Sequence, residues 1–331
     1  MLTAGTVAAQ TDWPAHPGIP GIGSGSAVPV FLGIGKVNML EDIRNRAAIS
    51  HVDVTALNFI RSSPPFVFRR HFRQGLRSHI MEILDPVDVE VEQTGKMIAG
   101  VRYFPKATPR RMFRIFRARL KTLENALFEI GRVKIVERYL APGFMARSTE
   151  CIVDYRGPEG RDLMLCGFQE YVAGEALDPW TLLSAVDLLP VLYETFRCQD
   201  SPLTLSREQW VATVRQKGSQ FIKKIKRMIS EAGHIPDLAG AGNLIITVGG
   251  GIRLVDINNI SGVSLAPSID LDEKGYPVCD KSIEALSLIE EKILGRPIDM
   301  EEDLYKHFLD PTRRKALKAI EALFWKRSVG S

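Results

Sequence analysis

The sequence has little of what marks membrane-spanning, disulfide-rich or zinc-binding proteins. No run of 18 apolar residues occurs among its 331 residues, so no transmembrane helix is predicted. The four cysteines form no CxxC pair and the six histidines show no HExxH spacing, which argues against a disulfide framework and a zinc enzyme. The first residues lack a basic segment followed by an apolar stretch, so no signal peptide is expected. Reduced thiols then predict a cytoplasmic protein.

The charge is balanced, with basic residues gathered in two places. The net charge is only +4, and 45% of the residues are hydrophobic, as in globular proteins. RRMFRIFRARLK (110–121) and KKIKR (223–227) are placed on helices. A solvated helix face is one explanation, and binding to phosphate groups, nucleic acid or an anionic membrane surface is the other. No RNP or zinc-finger motif indicates a nucleic-acid partner.

Composition divides the chain into three segments. Residues 1–37 are rich in Gly and Pro and predict an extended arm, whose glycines match neither the dinucleotide nor the P-loop spacing. Residues 38–172 predict a β-rich lobe, and residues 173–331 a helical lobe. The length suits two lobes of ordinary domain size. The fold class expected is therefore α+β.

The first lobe is expected to contain a hairpin, a helix and three strands. VDVEVEQTGKMIAGVRYF (87–104) has β-rich runs on both sides of a turn at 93–96. A helix is predicted with Thr108 as N-cap, Pro109 at its first position and Gly131 at its end. Strands are predicted over VKIVERYLA (133–141), FMARSTECIVDY (144–155) and DLMLCGFQEYV (162–172), the last two joined by the turn RGPEG.

The second lobe is expected to be mainly helical and to carry one short hairpin. Ser206 and Gln209 form a capping box for a long helix that ends near Gly233. Strands 244–248 and 252–255 then pair about a turn of three glycines. Further helices are predicted near 280–294, 299–308 and 310–327.

Polar side chains stand at the open end of this hairpin. Asn243 precedes the first strand and Asp256 follows the second, while Asp237 lies on the loop that leads in. Amide and carboxylate oxygens are ligands that Mg²⁺ accepts, and phosphoryl transfer also needs a carboxylate near the acceptor hydroxyl. Asn243 and Asp256 are thus predicted magnesium ligands, with Asp237 as catalytic base or orienting residue. The alternative is that all three only hydrogen-bond within their turns.

The segment PDLAGAGNLIITVGGGIRLVDINN resembles the catalytic and metal-binding segment of the protein-kinase-like phosphotransferases. This superfamily includes protein kinases, aminoglycoside phosphotransferases and choline kinases. Asp237 matches the catalytic-loop Asp and Asn243 the metal-binding Asn, and Asp256 matches the Asp of Asp-Phe-Gly. The resemblance implies a two-lobed fold, with a small β-rich N-terminal lobe and a larger mainly helical C-terminal lobe, that binds ATP and Mg²⁺.

Three positions depart from the protein-kinase pattern. Five residues, rather than four, separate Asp237 from Asn243. Ile257-Asn258 stands where Phe-Gly is found, and Pro236 replaces the Arg before the catalytic Asp. The missing Phe-Gly and the missing Arg favour a small-molecule, lipid or sugar phosphotransferase over a regulated protein kinase. The longer loop means either that the loop bulges or that Asp237 is not a working base. Asn258 and the residue after it either support the metal site or shape the turn.

The resemblance also implies residues that contact the adenine. FQEYVAGEALDPW (168–180) would connect the two lobes. Glu170 would offer its backbone carbonyl, and Val172 its backbone amide, to the nucleotide. Before Val87 no glycine-rich phosphate loop is recognised, and Gly75 is the glycine of that stretch.

An ion pair in the smaller lobe is implied as well. Glu124 is the carboxylate expected on the helix of that lobe, with Glu129 as second choice. The basic partner, which would bind phosphate, falls on or near Arg102, with Lys106 and Lys96 as alternatives. An Arg at this position differs from Lys in reach and geometry.

Three functions remain open from the sequence. The first is an ATP–Mg²⁺-dependent phosphotransferase acting on a small-molecule, lipid or sugar hydroxyl. The second is a catalytically inactive pseudokinase that binds nucleotide or protein. The longer Asp–Asn loop, the Arg at the Lys position and the missing glycine-rich loop favour it. The third is a relative that transfers AMP. The acceptor stays unknown because residues 180–205 and 260–331 carry no motif that identifies it.

Overall fold

A computed structural model of the chain describes residues 41–61, 64–73, 75, 77–181, 188–198 and 203–329. The arm predicted over residues 1–37 lies outside the described residues. The described residues from Glu41 onward belong to one compact unit, and the division into lobes at residue 172 stays a prediction. No helix in the described ranges is long and apolar enough to cross a membrane.

Strands prevail in the first half of the described chain and helices in the second. The helices are α1 (His51–Thr55), α2 (Pro86–Thr94), α3 (Leu123–Leu140), α4 (Leu188–Arg197), α5 (Arg207–Ala232), α6 (Val278–Leu294), α7 (Asp303–Phe308) and α8 (Pro311–Val329). The strands are β1 (Val67–Arg70), β2 (Ser78–Leu84), β3 (Lys96–Ile98), β4 (Val101–Tyr103), β5 (Arg111–Phe116), β6 (Ser148–Gly157), β7 (Gly160–Glu170), β8 (Glu175–Ala176), β9 (His234–Pro236), β10 (Leu244–Ile246), β11 (Ile252–Leu254) and β12 (Ile260–Gly262). The chain is therefore a mixed α+β protein.

The largest sheet is antiparallel and has the strand order β1-β2-β5-β7-β6. β6 and β7 form the predicted hairpin, paired from Ser148 opposite Gln169 to Gly157 opposite Gly160. β5 lies at the centre, and its residues from Met112 to Phe116 are all buried. Because side chains alternate along a strand, both faces of β5 are covered.

The helix predicted from Thr108 to Gly131 is wrong. Residues 111–116 form β5, and α3 begins only after Thr122, whose side chain caps it, and then runs through Gly131 to Leu140. The strand predicted over 133–141 is consequently helical. The apolar residues of the β5 segment recur at a spacing that also fits a helix. They are consecutive enough, however, that a strand covered on both faces buries all of them. The basic run 110–121 therefore lies on β5 and the segment after it.

The hairpin predicted about residues 93–96 is also wrong. Asp85 caps α2 by accepting a hydrogen bond from Val87 N, and proline follows the cap. These are start signals for a helix, and they override the alternation of valines and acids in 87–92. β3 and β4 instead form a shorter hairpin whose turn is Ala99-Gly100, with positive φ angles at both residues.

The predicted long helix, α5, is confirmed together with its ends. Ser206 and Gln209 form the capping box, and Gly233 ends the helix in the left-handed conformation. The buried face of α5 packs within the main core cluster of the second half. Trp210 Nε1 donates to Val248 O at 2.7 Å, so the glycine turn between β10 and β11 rests on this helix.

Two glycines inside helices are expected to respond in opposite ways to alanine. At Gly218 of α5 an added Cβ would lie 2.5 Å from Ile293 Cγ2 on α6. Gly218→Ala is therefore expected to lower the free energy of unfolding by about 1–3 kcal/mol, because the core would be overpacked. At Gly131 the space is open, and Gly131→Ala should raise it by about 0.5–1 kcal/mol. Urea unfolding measures both, and changes of the same sign would contradict this packing.

Candidate functional site

The β10–β11 hairpin brings Asn243 and Asp256 to its open end. The predicted pairing is confirmed, with Leu244 opposite Leu254. Val255 N donates to Asn243 O at 2.8 Å, which extends the pairing to the residue before Asp256. The side chains of Asn243 and Asp256 line one cavity, which Asp237 lines as well.

Pairing of β9 with β12 holds Asp237 at this cavity. Asp237 N donates to Asn259 O at 2.7 Å. One carboxylate oxygen accepts from Ala239 N and Gly240 N at 2.9 and 3.1 Å, and the other accepts from Asn259 Nδ2 at 3.1 Å. Asn243 Nδ2 donates to Asp237 O at 2.9 Å, which closes the loop between these two residues. A side chain at Gly240 would collide with the Asn243 amide.

Burial raises the pKa of Asp237 above its ordinary value, and the neighbouring charge of Asp256 raises it further. The hydrogen bonds from Ala239, Asn259 and Gly240 act in the opposite direction. A carboxylate with a raised pKa binds a proton more readily than a free one. A side chain that takes a proton from a substrate needs this higher affinity for protons.

Arg114 is a residue of the site that the sequence analysis missed. It lies on the central strand β5, is only 2% exposed, and its Nη2 donates to Asp256 Oδ1 at 2.9 Å. With the Asn258 amide oriented so that its oxygen faces Arg114, that oxygen accepts from Nη1 at 2.9 Å. The signal was an arginine inside the apolar run MFRIF, which a strand interpretation would have marked as a buried charge.

Two of the basic residues predicted to bind phosphate lie instead on the exposed β3–β4 hairpin. Arg102 Nη1 donates to Thr94 O at 3.0 Å, and Lys96 Nζ lies 5.9 Å from the centre of the Tyr103 ring. Neither lines the cavities around Asp256. The basic residue beside Asp256 is Arg114 instead, because β5, and not the hairpin, runs past Asp256.

Lys106 and the predicted carboxylates lie elsewhere. Lys106 Nζ is 5.9 Å from the ring centre of Phe72, which lines a second cavity beside Asp256. Glu124 is exposed in the first turn of α3, and Glu129 pairs with Arg132 on the same helix at 3.3 Å. The ion pair found beside the open end of the hairpin is the one between Arg114 and Asp256, at 2.9 Å.

Two cavities meet at Asn243 and Asp256, which line both of them. The larger has a volume of about 600 Å³ and also contains Asp237. Its other walls carry four aromatic rings and a lysine–glutamate pair: Trp180, Tyr276, Phe324, Trp325, Lys281 and Glu321. The smaller has a volume of about 160 Å³ and reaches from Asp256 to the end of β7.

The smaller cavity contains the two residues predicted to contact adenine. Glu170 and Val172 both line it, together with Met112 of β5. Gln169 Nε2 donates to Val255 O at 2.6 Å, which ties the end of β7 to the residue before Asp256. The smaller cavity therefore has an apolar wall, a wall formed by the backbone after β7, and a polar end at Asp256.

The described residues between β1 and β2 line both cavities. His71, Phe72 and Arg73 line the smaller one, and Gly75 lines both. A side chain at Gly242 would collide with the Arg73 guanidinium, which therefore lies directly on the loop before Asn243. The described part of this segment therefore places a guanidinium beside the smaller cavity.

The donor set suits magnesium held together with phosphate. No group of three or more His, Cys, Asp or Glu side chains that could hold a metal occurs within the described residues. Asn243 and Asp256 supply one amide and one carboxylate, and Mg²⁺ commonly combines so few protein oxygens with water and phosphate. The residues present therefore fit a nucleotide-bound Mg²⁺ better than a metal held by protein alone.

The raised pKa of Asp237 predicts a pH-dependent effect of its replacement. The folded state binds the Asp237 proton more tightly than the unfolded state does, so wild type loses stability as pH rises from about 4 through the folded-state pKa. Asp237→Asn removes this loss, and its Tm relative to wild type should increase from acidic to neutral pH. Thermal unfolding across this range tests the expectation. The exposed Asp154→Asn controls for the change in net charge, and a pH-independent difference for Asp237→Asn would contradict the assignment.

Comparison with known proteins identifies no relative whose function could be carried over to this site. The chain matches no protein-family model and no curated protein. A function is therefore assigned from the chemistry that the two cavities, the Arg114–Asp256 pair and the raised pKa of Asp237 allow.

Proposed function

We propose that the protein is an ATP–Mg²⁺-dependent phosphotransferase with a two-lobed protein-kinase-like fold, acting on the hydroxyl of a small molecule, lipid or sugar. The observation that carries the proposal is the meeting of two cavities at Asn243 and Asp256. Phosphoryl transfer needs a donor and an acceptor on opposite sides of one metal-bound phosphate. The smaller cavity would take the nucleotide and the larger one the acceptor.

The smaller cavity supports a nucleotide by its shape and lining. Adenine would lie against Ile80, Met112 and Ile245, with the Glu170 carbonyl and the Val172 amide at its edge. The phosphates would extend toward Asp256, where Arg114 and the cations of the β1–β2 segment lie. Guanidinium groups bind phosphate oxygens in pairs, so Arg114 can serve the role that a lysine has in the kinase pattern.

Asn243 and Asp256 would hold Mg²⁺ through their side-chain oxygens. When bound, the ion offsets the negative charge that develops on the transferred phosphoryl group. Asp256 Oδ1 accepts from Arg114, so the carboxylate is oriented before a nucleotide arrives. Asn243 is oriented by its hydrogen bond to the Asp237 carbonyl.

Asp237 would orient the acceptor hydroxyl and receive its proton. It lines the larger cavity, and backbone amides fix one of its oxygens. The aromatic rings of that cavity suit the apolar surface of a ring or chain, while the pair Lys281–Glu321 supplies a donor and an acceptor. An acceptor with both apolar and hydroxyl-bearing parts fits this lining.

Nucleotide binding and turnover test the proposal in sequence. Wild type is expected to gain thermal stability with ATP and Mg²⁺ together, because ligands that bind the folded state raise Tm. Asp256→Ala should lose the Mg²⁺-dependent part of this gain. Asp237→Ala should retain binding but lose transfer by about 10²-fold or more, as expected for removal of a general base.

Asp154→Ala, at an exposed strand position, provides the matched control. Mass analysis of the products separates phosphate transfer from AMP transfer, which the AMP-transferring alternative requires. A wild type that ignores nucleotide with and without Mg²⁺ would overturn the proposal, and undiminished turnover in Asp237→Ala would remove its proposed base.

A pseudokinase that binds nucleotide or protein without transfer is the second candidate. The observation in its favour is the Arg114–Asp256 ion pair, in which a buried cation already neutralises the proposed metal ligand. In that case Arg114 would compete with Mg²⁺ for Asp256, and the nucleotide, if bound, would need no metal.

Replacement of Arg114 by lysine and glutamine distinguishes these two functions. In a phosphotransferase, Arg114→Gln should weaken ATP–Mg²⁺ binding and turnover by about tenfold or more, since a charge-assisted bond to phosphate is lost, and Arg114→Lys should restore part of both. In a pseudokinase, Arg114→Gln should instead make nucleotide binding more Mg²⁺-dependent. Calorimetric titration with ATP, with and without Mg²⁺, measures the difference, and unchanged binding in Arg114→Gln would contradict both roles.

A further inference from the structure

The β3–β4 hairpin stands apart from the rest of the described fold. It pairs with no third strand among the described residues, and every residue from Lys96 to Phe104 is exposed. The positive φ angles of Ala99 and Gly100 turn the chain tightly between the two strands. This segment therefore presents its side chains to whatever surrounds the protein.

The tip of the hairpin is apolar on both faces. Ile98 lies opposite Val101, and Met97 lies opposite Arg102. Met97, Ile98 and Val101 are 59%, 50% and 69% exposed, and Tyr103 and Phe104 are exposed behind them. Exposed apolar residues that gather in one place mark interaction sites, whereas single ones need no explanation.

The charged residues of the hairpin itself have one sign. Between residues 95 and 111 the sequence contains Lys96, Arg102, Lys106, Arg110 and Arg111 and no acidic residue. The neighbouring helix α2 and its cap carry four acidic residues. Asp85 and Glu92 are paired with Arg110 and Arg69, which reduces the negative charge near the hairpin, whereas Asp88 and Glu90 are exposed. Arg102 and Lys96 lie one and two residue pairs behind the tip, respectively, and place positive charge next to it.

We propose that the hairpin 96–104 inserts its apolar tip into the surface of an anionic lipid membrane. Met97, Ile98 and Val101 would enter the acyl boundary, while Lys96 and Arg102 contact the headgroups. Stable attachment at a membrane surface needs two signals, and an apolar group next to basic residues supplies both. Tyr103, an aromatic ring with a polar end, is at the level where such rings lie in the interface.

A bilayer fits the hairpin better than a protein partner does. A protein surface covers one face of a two-stranded hairpin, whereas lipid surrounds a tip from all sides. The apolar side chains here point to both faces, since Met97 and Ile98 are consecutive in β3. The absence of acidic residues between 95 and 111 matches the negative surface of phosphatidylserine-containing membranes. The inference does not rest on the phosphotransferase proposal.

Sedimentation of the full chain with vesicles tests this inference. Wild type should pellet with vesicles of phosphatidylcholine mixed with phosphatidylserine, less with phosphatidylcholine alone, and less at high salt. The double variant Lys96→Gln with Arg102→Gln should lower partitioning by about twenty-fold or more, because each basic residue near an anionic surface contributes about fivefold. The double variant Ile98→Ser with Val101→Ser should lower it by about tenfold or more, because the tip loses apolar surface that enters the membrane.

The double variant Leu127→Ser with Phe128→Ser provides the matched control, since it removes two comparably exposed apolar side chains from α3. It should pellet as wild type does. All variants alter exposed residues, and an unchanged Tm verifies that each is folded. No pelleting of wild type, or pelleting that survives in both hairpin variants, would overturn the proposal. A dimer without vesicles that the tip variant abolishes, with no pelleting, would assign the hairpin to a second copy of the chain instead.

Discussion

The arrangement of the candidate site depends on the buried guanidinium of Arg114. At 2% exposure this cation would destabilise the fold if it had no partners, because desolvation of an unpaired charge costs several kcal/mol. Asp256 and Asn258 supply those partners, while β5 fixes the other end of the side chain in the centre of the sheet. The pair therefore sets the separation between the sheet and the β10–β11 hairpin, and with it the width of the two cavities. One consequence is that Asp256 is both a structural counter-ion and a proposed metal ligand.

The loop between Asp237 and Asn243 shows how a departure from the kinase pattern is accommodated. Its additional residue is taken up in a turn, in which Asn243 N donates to Gly240 O at 3.0 Å and Gly242 adopts a φ of 84°. The Asn243 side chain then reaches back to the Asp237 carbonyl at 2.9 Å. The spacing that weakens the motif as a sequence pattern therefore does not separate the two side chains, which line the same cavity.

The sequence was informative where local signals acted without competition. The α5 capping box, the β6–β7 turn and the glycine turn before β11 each specify their element through cap or turn geometry, and each was predicted. Prediction failed where a pattern fitted two structures. The valines and acids of 87–92 alternate like a strand yet follow a helix cap, and the apolar residues of 111–116 recur like a helix yet fill a central strand. Burial on both faces depends on tertiary neighbours, so Arg114 could not be placed before β5 was known.

The segment that crosses from β7 of the large sheet to β8, ahead of the helices, is fixed by close contacts and hydrogen bonds, unlike a flexible linker. β8, which follows this crossing, pairs with β10, and Leu177 N donates to Leu244 O at 2.9 Å, next to Asn243. Gly174 approaches the Ile246 carbonyl so closely that any side chain would collide with it. The segment between β7 and β8 is therefore a rigid connection and not a hinge. A ligand ring in the smaller cavity that displaces the backbone after β7 would also shift Asn243, because main-chain hydrogen bonds connect the two. Binding in the smaller cavity would therefore change the shape of the larger one.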